Sequence, residues 1–556
     1  MTETGNASTS GTHAAAALVD RYWEGLLEIE PLIGTMVGDE RNDDRLADPG
    51  EAGRERRLAF QQGALDELAG IDRSSLDVTM RTSLDVLESI AQRDVAEIAH
   101  RFDRLQAVSH LWGPGQLLAE LGSMQRADSS ERLDRYVERL SSIPSFLDAI
   151  DGIVREGVTS GTLAPRVVAE RAVGQVERLL EIAPEDSPAL AAVGADDTAA
   201  RDRVAGVIRD EVNPSYQRYL EALREYLPHA TETIGLSALP DGDAMYATQI
   251  LAWTTLPLEA QEIHDIGVER LTEIQEERRR IASSLGFASA AEAVDAHTAA
   301  GRNTADSREA LLEVAREQVR RGWDAAPGFF GRRPTENCEV RLVEEFREAD
   351  MPFAFYQPPT ADGSRAGIYY VNAYDLPTRP LHHLASTSFH EANPGHHFQL
   401  TIEQEIPDRP ALRSFGGLLA GSAFIEGWGL YSERLADEMG LFVDDYERLG
   451  MLDAQAHRAA RLITDTGIHA LGWTRDASIE ALEEAGVPHT DAVIEIDRYI
   501  AMPGQALSYM VGMIEIERAR EAAAAKEGAD FSLKEFHDRI LALGSLPLPS
   551  LLRELG

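Results

Sequence analysis

The chain has 556 residues, 44% of them hydrophobic, with 94 acidic against 53 basic residues and a formal charge of −41. It is long enough to bury a sizeable core, and its charge repels phosphate backbones, which argues against nucleic acid as a partner. Lysine occurs only at Lys526 and Lys534 and cysteine only at Cys338, so Schiff-base chemistry, a GxxxxGK phosphate loop, an intramolecular disulfide and a cysteine zinc cluster are set aside.

Residues 1–13 are small and polar and read as a disordered tail without a basic signal-peptide start. No run approaches the roughly 20 apolar residues of a membrane span, so a cytoplasmic protein with no membrane partner is expected. From 14 to 226 apolar residues recur three and four apart; Leu133, Tyr136, Val137 and Leu140 form one such stripe. A long helix is predicted over 257–285, opened by Pro257 and stopped by Gly286, and another over 307–323. Residues 338–343 (CEVRLV) and 367–372 (GIYYVN) read as short strands. Further helices are predicted over about 446–471, 475–485, 504–526 and 533–543. The sum is a mostly α protein with a small sheet. One large unit covers 14–556, with a helical part to about 330 and a site-bearing part over 331–556.

The site-bearing part contains HEANPGHH, with His390, Glu391, His396 and His397. A zinc hydrolase needs histidine or carboxylate ligands, an open position for water and a carboxylate to take its proton. The HExxH solution puts two histidines on one helical face. Here His396 would sit about 120° round a regular helix from His390, and His397 about 10 Å along it. Pro394 and Gly395 offer a break that can return one ring to a shared metal. His396 is preferred, with His397 as the alternative or as a donor behind the ligands.

Downstream, SAFIEGWGLYSERL places Glu426 in an apolar helix, where a carboxylate calls for a partner such as a metal. Glu433 lies seven residues on, nearly on the same face, suited to orienting a ligand. Asp465 and His469 in RLITDTGIHALGW are four apart; they can orient a ligand and stabilise an oxyanion, and Arg461 can bind a substrate carboxylate. Arg498, Tyr499, Gln505 and Tyr509 lie in RYIAMPGQALSY, with Tyr509 the oxyanion candidate and Tyr499 behind it.

In order, HEANPGHHFQ, EGWGLYSERL, RLITDTGIHALGW and PGQALSYMVG, with the approach at 362–372, resemble the bacterial family known as domain of unknown function 885. That family is similar to helical zinc peptidases with a glutamate ligand, of the carboxypeptidase Taq and thimet oligopeptidase type. The resemblance implies a zincin-like helical fold with the small sheet beside an active-site cleft. One zinc ion would be held by His390, His396 and Glu426, with Glu391 as general base. It also implies that Tyr369, Tyr370 and Asn372 pair with a small peptide or amide substrate along a strand edge. The rival readings are a hydrolase of a non-peptide amide or ester and a metal-binding or scaffold protein that does not catalyse.

Overall fold

The computed structural model describes residues 4–345, 348, 351–359 and 365–556. Residues 1–3 of the expected tail and 362–364 of the approach segment lie outside the described residues. The chain divides into two compact units, both discontinuous in sequence. The first is Met1–Thr248, Ile468–Arg475 and Ile494–Pro503; the second is Gln249–Gly467, Asp476–Val493 and Gly504–Gly556. The junction expected near 330 falls inside the second unit.

The first unit is helical. Its leading helix, α1 (Thr4–Ile29), takes in residues 4–13, which the sequence had assigned to a tail. A second, α2 (Ser130–Ser160), begins where Ser129 accepts the Arg132 N–H and ends at Gly161, whose φ of 75° suits glycine. Its apolar stripe buries Tyr136 and Leu140, with Leu133 and Val137 packed alongside. Against it lies α3 (Asn213–Tyr226), which buries three tyrosine rings and still pairs each hydroxyl. Tyr216 donates to Pro114 O (2.7 Å), Tyr219 donates to Ala107 O (2.6 Å), and Tyr226 accepts from Ala164 N (2.6 Å). A buried phenol without such a partner would be costly.

The second unit holds the sheet. Helix α4 (Arg308–Ala325), capped by Ser307, packs on β1 (Glu339–Leu342), β2 (Ala354–Gln357) and β3 (Ile368–Val371). The order is β1-β3-β2, with β1 parallel and β2 antiparallel to β3. The segments 338–343 and 367–372 contain β1 and β3; β2 has no counterpart in the sequence reading. Leu311, Ala315 and Val319 of α4 meet Val340, Tyr369 and Val371 in one buried cluster.

Among the helices that follow are α5 (Leu381–Glu391), α6 (His396–Gln404), α7 (Ser422–Glu438), α8 (Asp445–His469) and α9 (Ser508–Glu527). Helices α7 and α9 cross where Gly427 meets Gly512. A Cβ on Gly427 would lie 2.4 Å from the Gly512 carbonyl carbon, and one on Gly512 would lie 1.7 Å from Ala423 O. Only hydrogen fits on either side of that crossing. It fixes the start of α9, with Tyr509, against the helix that carries Glu426.

Candidate metal centre

Helix α5 ends one residue after His390, and α6 restarts at His396. The four residues between include a cis Asn393–Pro394 bond and are tied on both sides. Asn393 Nδ2 donates to Val319 O (3.0 Å) and Asn337 Oδ1 (2.7 Å). The Pro394 carbonyl accepts from Trp428 Nε1 (3.0 Å) and Ser432 Oγ (3.4 Å) of α7. Gly395 is the closest approach: a Cβ there would lie 1.8 Å from the His390 carbonyl oxygen. The chain thus folds back on the last turn of α5. The His390 and His396 rings meet edge to face, 4.7 Å between centroids.

Helix α7 brings the third donor. Glu426 Oε2 lies 3.6 Å from His390 Nε2 and 3.7 Å from His396 Nε2. One ligand atom from each of the three residues lies within 4.8 Å of the others. The 3.6 and 3.7 Å gaps are too long for charge-assisted hydrogen bonds, which run about 2.7–2.9 Å. They approach the roughly 3.3–3.5 Å edge of a tetrahedron with metal–ligand arms near 2.0–2.1 Å. Two imidazoles and a carboxylate are also a donor set zinc accepts while leaving one position open. The residues therefore fit a zinc ion in spacing and in chemistry.

The surroundings fix His390. His390 Nδ1 donates to Glu433 Oε1 (2.8 Å), and Glu433 Oε2 accepts from Ser386 Oγ (2.7 Å). This leaves Nε2 facing the cluster. Glycine at 429 makes room, since a Cβ there would lie 2.6 Å from His390 Nε2.

Burial disfavours a charged His390, but Glu426 and Glu433 prevail and raise its imidazole to about 10. Burial also opposes the Glu426 carboxylate, yet His390, His396 and Arg461 hold it down at about 2. His396 drops to about 4, through burial and the charge on His390. A positive charge on His390 thus stands between two carboxylates, a charge balance that a divalent cation can take over. Glu391, next in sequence, is raised to about 7 by burial, against the pull of His390, with Glu426 raising it further; Arg458 and the Tyr356 backbone N–H lower it.

Replacing Glu433 with alanine removes the acceptor that orients His390. Divalent-metal affinity is expected to fall about 10- to 100-fold, read by competition with a chromogenic chelator. Unchanged affinity would remove Glu433 from that role.

The other residues singled out from the sequence fall into three groups. Tyr509 and Arg461 belong to the second unit with the cluster. The Arg461 guanidinium stacks 4.5 Å from the Tyr509 ring centroid and Arg458 lies 5.8 Å from it. Arg461 acts on Glu426 and Arg458 on Glu391, so this stack borders the cluster. Gln505 is buried in the turn before α9, and Asp465 accepts the Gly504 N–H at 3.1 Å.

A second group is engaged in holding the fold. His397 points away from the cluster: Nδ1 pairs with Tyr356 Oη (2.8 Å) and Thr401 Oγ1 (3.2 Å), and Nε2 with Glu336 O (3.0 Å). Those contacts leave neither nitrogen for a ligand role, and none reaches His390, His396 or Glu426. GIYYVN forms the central strand, with β1 and β2 on its two sides, so its backbone has no edge for a substrate. Tyr369 is fully buried, with Oη against Ser388 Oγ (3.1 Å). Tyr370 stacks on Phe355. Asn372 Nδ2 reaches the carbonyls of Glu348, Met351 and Pro352. The edge strand that touches the cluster is β2, through the Tyr356 N–H at Glu391. Tyr356 and Gly429 were missed; EGWGL carried a signal for the glycine, and nothing in the sequence marked the tyrosine.

The third group, His469, Arg498 and Tyr499, belongs to the first unit. His469 Nδ1 accepts from Leu236 N (3.3 Å) and Nε2 donates to Tyr499 O (3.0 Å). With both nitrogens engaged and 1% exposure, His469 has nothing to offer an oxyanion. Tyr499 Oη donates to Glu495 Oε2 (2.7 Å), and Arg498 lies 3.4 Å from the other oxygen of Glu495. Tyr499 is 1% exposed, which removes its ring from substrate contact.

A family model described as a bacterial protein of unknown function, DUF885, matches residues 31–555. No curated protein matches the chain. A crystal structure of a candidate lipoprotein from Colwellia psychrerythraea is similar at 26% identity, with a TM-score of 0.91 and 98% of each chain covered. A candidate lipoprotein of unknown function from Shewanella oneidensis shares the fold at 20% identity, with a TM-score of 0.77 and 97% of this chain and 99% of that one covered. Among the described residues no helix is long and apolar enough to cross a membrane.

Proposed function

The chain belongs to the bacterial DUF885 family, whose function is unknown, and from its own residues we propose that it is a zinc-dependent hydrolase acting on short peptides. The observation that carries this reading is the triad His390 Nε2, His396 Nε2 and Glu426 Oε2, spaced for one metal, with Glu391 next in sequence to His390 and feeling the charges of His390 and Glu426. A bound zinc ion supplies Lewis-acid polarisation and a water made acidic enough to ionise near neutral pH.

The chain's own groups do the rest. Glu391 takes the proton of the attacking water and returns it to the leaving amine. The Tyr356 N–H steadies the Glu391 carboxylate. Tyr509 is the donor assigned to the oxyanion, and its ring is held by Arg461 and Arg458. Arg461 and Gln505 are the substrate contacts retained in this reading. A base beside the ligands separates it from a protein that only stores or carries metal, because binding needs no base. The cytoplasmic location is part of the same proposal; the lipoprotein description belongs to the two relatives.

The test is hydrolysis of a mixed peptide library before chelation, after chelation and after Zn2+ is restored. Cleavage that disappears and returns with one equivalent of zinc supports the reading. Zinc retained without cleavage of any peptide would overturn the peptidase assignment, and cleavage of amide or ester substrates in that case would replace it with the non-peptide hydrolase. Failure to take up zinc would remove the metal centre itself.

A further inference from the structure

A second group of metal-ligating side chains lies at the opposite end of α5. Its first turn carries His382 and His383, and α8 sends Asp453 between them. Asp453 Oδ2 lies 3.4 Å from His382 Nε2 and 3.2 Å from His383 Nε2. The two rings are 4.0 Å apart between centroids. One ligand atom from each of the three falls within 4.8 Å of the others. We propose that His382, His383 and Asp453 form a second divalent-cation site, separate from the hydrolytic one.

The hydrogen bonds around His382 give the physical reason. Asn303 Oδ1 accepts both the backbone N–H of His382 (3.1 Å) and its Nδ1–H (2.9 Å). The amide is locked in that orientation, because its Nδ2 donates to Thr298 Oγ1 (2.9 Å). A neutral His382 that keeps its proton on Nδ1 turns the Nε2 lone pair toward the Asp453 carboxylate. Two acceptors facing each other repel unless a cation lies between them, and the 3.2–3.4 Å separations suit one with ligand arms near 2.0–2.1 Å. Asp453 Oδ2 is the oxygen turned to both rings, at hydrogen-bond distance from His383 Nε2 (3.2 Å), while Arg278 lies 2.6 Å from the other oxygen, Oδ1. The Asn303 contact to His382 and the Arg278 contact to Asp453 are the kind of outer support that fixes metal ligands. His382 is buried and His383 is 38% exposed, so the site opens to solvent on one side.

The site has a structural consequence. It joins the first turn of α5 to α8, and the last turn of α5 presents His390 and Glu391. The span from His382 to His390 is eight residues, roughly 12 Å of helix. A cation here clamps the helix that the hydrolytic centre depends on, without touching substrate.

Zn2+ alone is the probe. After equilibrium dialysis, wild type is expected to hold two equivalents, His383→Ala one, His396→Ala one, and the double variant none. His383 is 38% exposed; thermal unfolding of His383→Ala beside wild type checks that the fold is kept, and anomalous diffraction at the zinc edge on wild-type crystals checks the position directly. One equivalent in wild type, abolished by His396→Ala and kept by His383→Ala, would overturn the second site. So would two equivalents that His383→Ala leaves at two. One equivalent that His383→Ala removes and His396→Ala keeps would support the second site and sink the hydrolytic one, so the two ideas fail separately.

Discussion

Glu391→Gln is expected to keep its zinc and to lose peptide hydrolysis by at least about a hundredfold, the scale on which a general base contributes. The substitution changes little else. Glutamine has the same shape, and its amide oxygen can still accept the Tyr356 N–H that now meets the carboxylate. Glu391 is not one of the three converging donors, so the metal affinity has no reason to fall. What disappears is the carboxylate next in sequence to His390 that this reading assigns to take a proton and give it back. Single-turnover hydrolysis and metal content, measured on the same preparation, separate the outcomes. Wild-type rates with zinc bound would exclude Glu391 as the base. Loss of zinc together with activity would make it a ligand, and the ligand set would have to be redrawn.

Much of this centre could be read from residue types, and much of its geometry could not. Glu426 was conspicuous because a carboxylate in an apolar helix needs a partner, and Glu433 because seven residues restore the helical face. The choice between His396 and His397 was open, since it depends on where the second helix restarts. It restarts at His396 itself, and the next residue, turned by about 100°, points His397 at Tyr356 instead. GIYYVN has the composition of a strand, but composition does not say whether a strand is central or at an edge. Its pairing on both sides depends on β2, four residues between Met351-Pro352-Phe353 and Pro358-Pro359. So short a segment has little periodicity to detect. The Asp465–His469 spacing was read as a pair on one helical face. Both side chains instead bond backbone: Asp465 the Gly504 N–H, and His469 the Leu236 N–H and Tyr499 carbonyl. Spacing alone does not reveal such partners from distant parts of the chain.

Gly429→Ala is expected to weaken zinc binding by about a hundredfold or more, although helix chemistry alone favours the substitution. Position 429 lies inside α7, where alanine is preferred to glycine by about 1 kcal/mol. With open space around it, the variant would be more stable and otherwise unchanged. The space is not open. The new Cβ would lie 2.6 Å from His390 Nε2 and 2.7 Å from its Cε1, closer than such atoms can pack. The imidazole cannot swing aside at little cost, because Glu433 holds its other nitrogen at 2.8 Å. Relief must come from moving the ring by several tenths of an ångström or from moving α7, which shifts Glu426 with it. Disturbing what orients a metal ligand typically costs about 10- to 100-fold in affinity, and here a ligand ring is itself displaced. Thermal unfolding of the metal-free variant separates the local clash from a general loss of structure: a cooperative transition near that of metal-free wild type, combined with weak zinc binding, places the damage at His390. Zinc affinity equal to wild type would mean that His390 does not stand where the metal reading requires it.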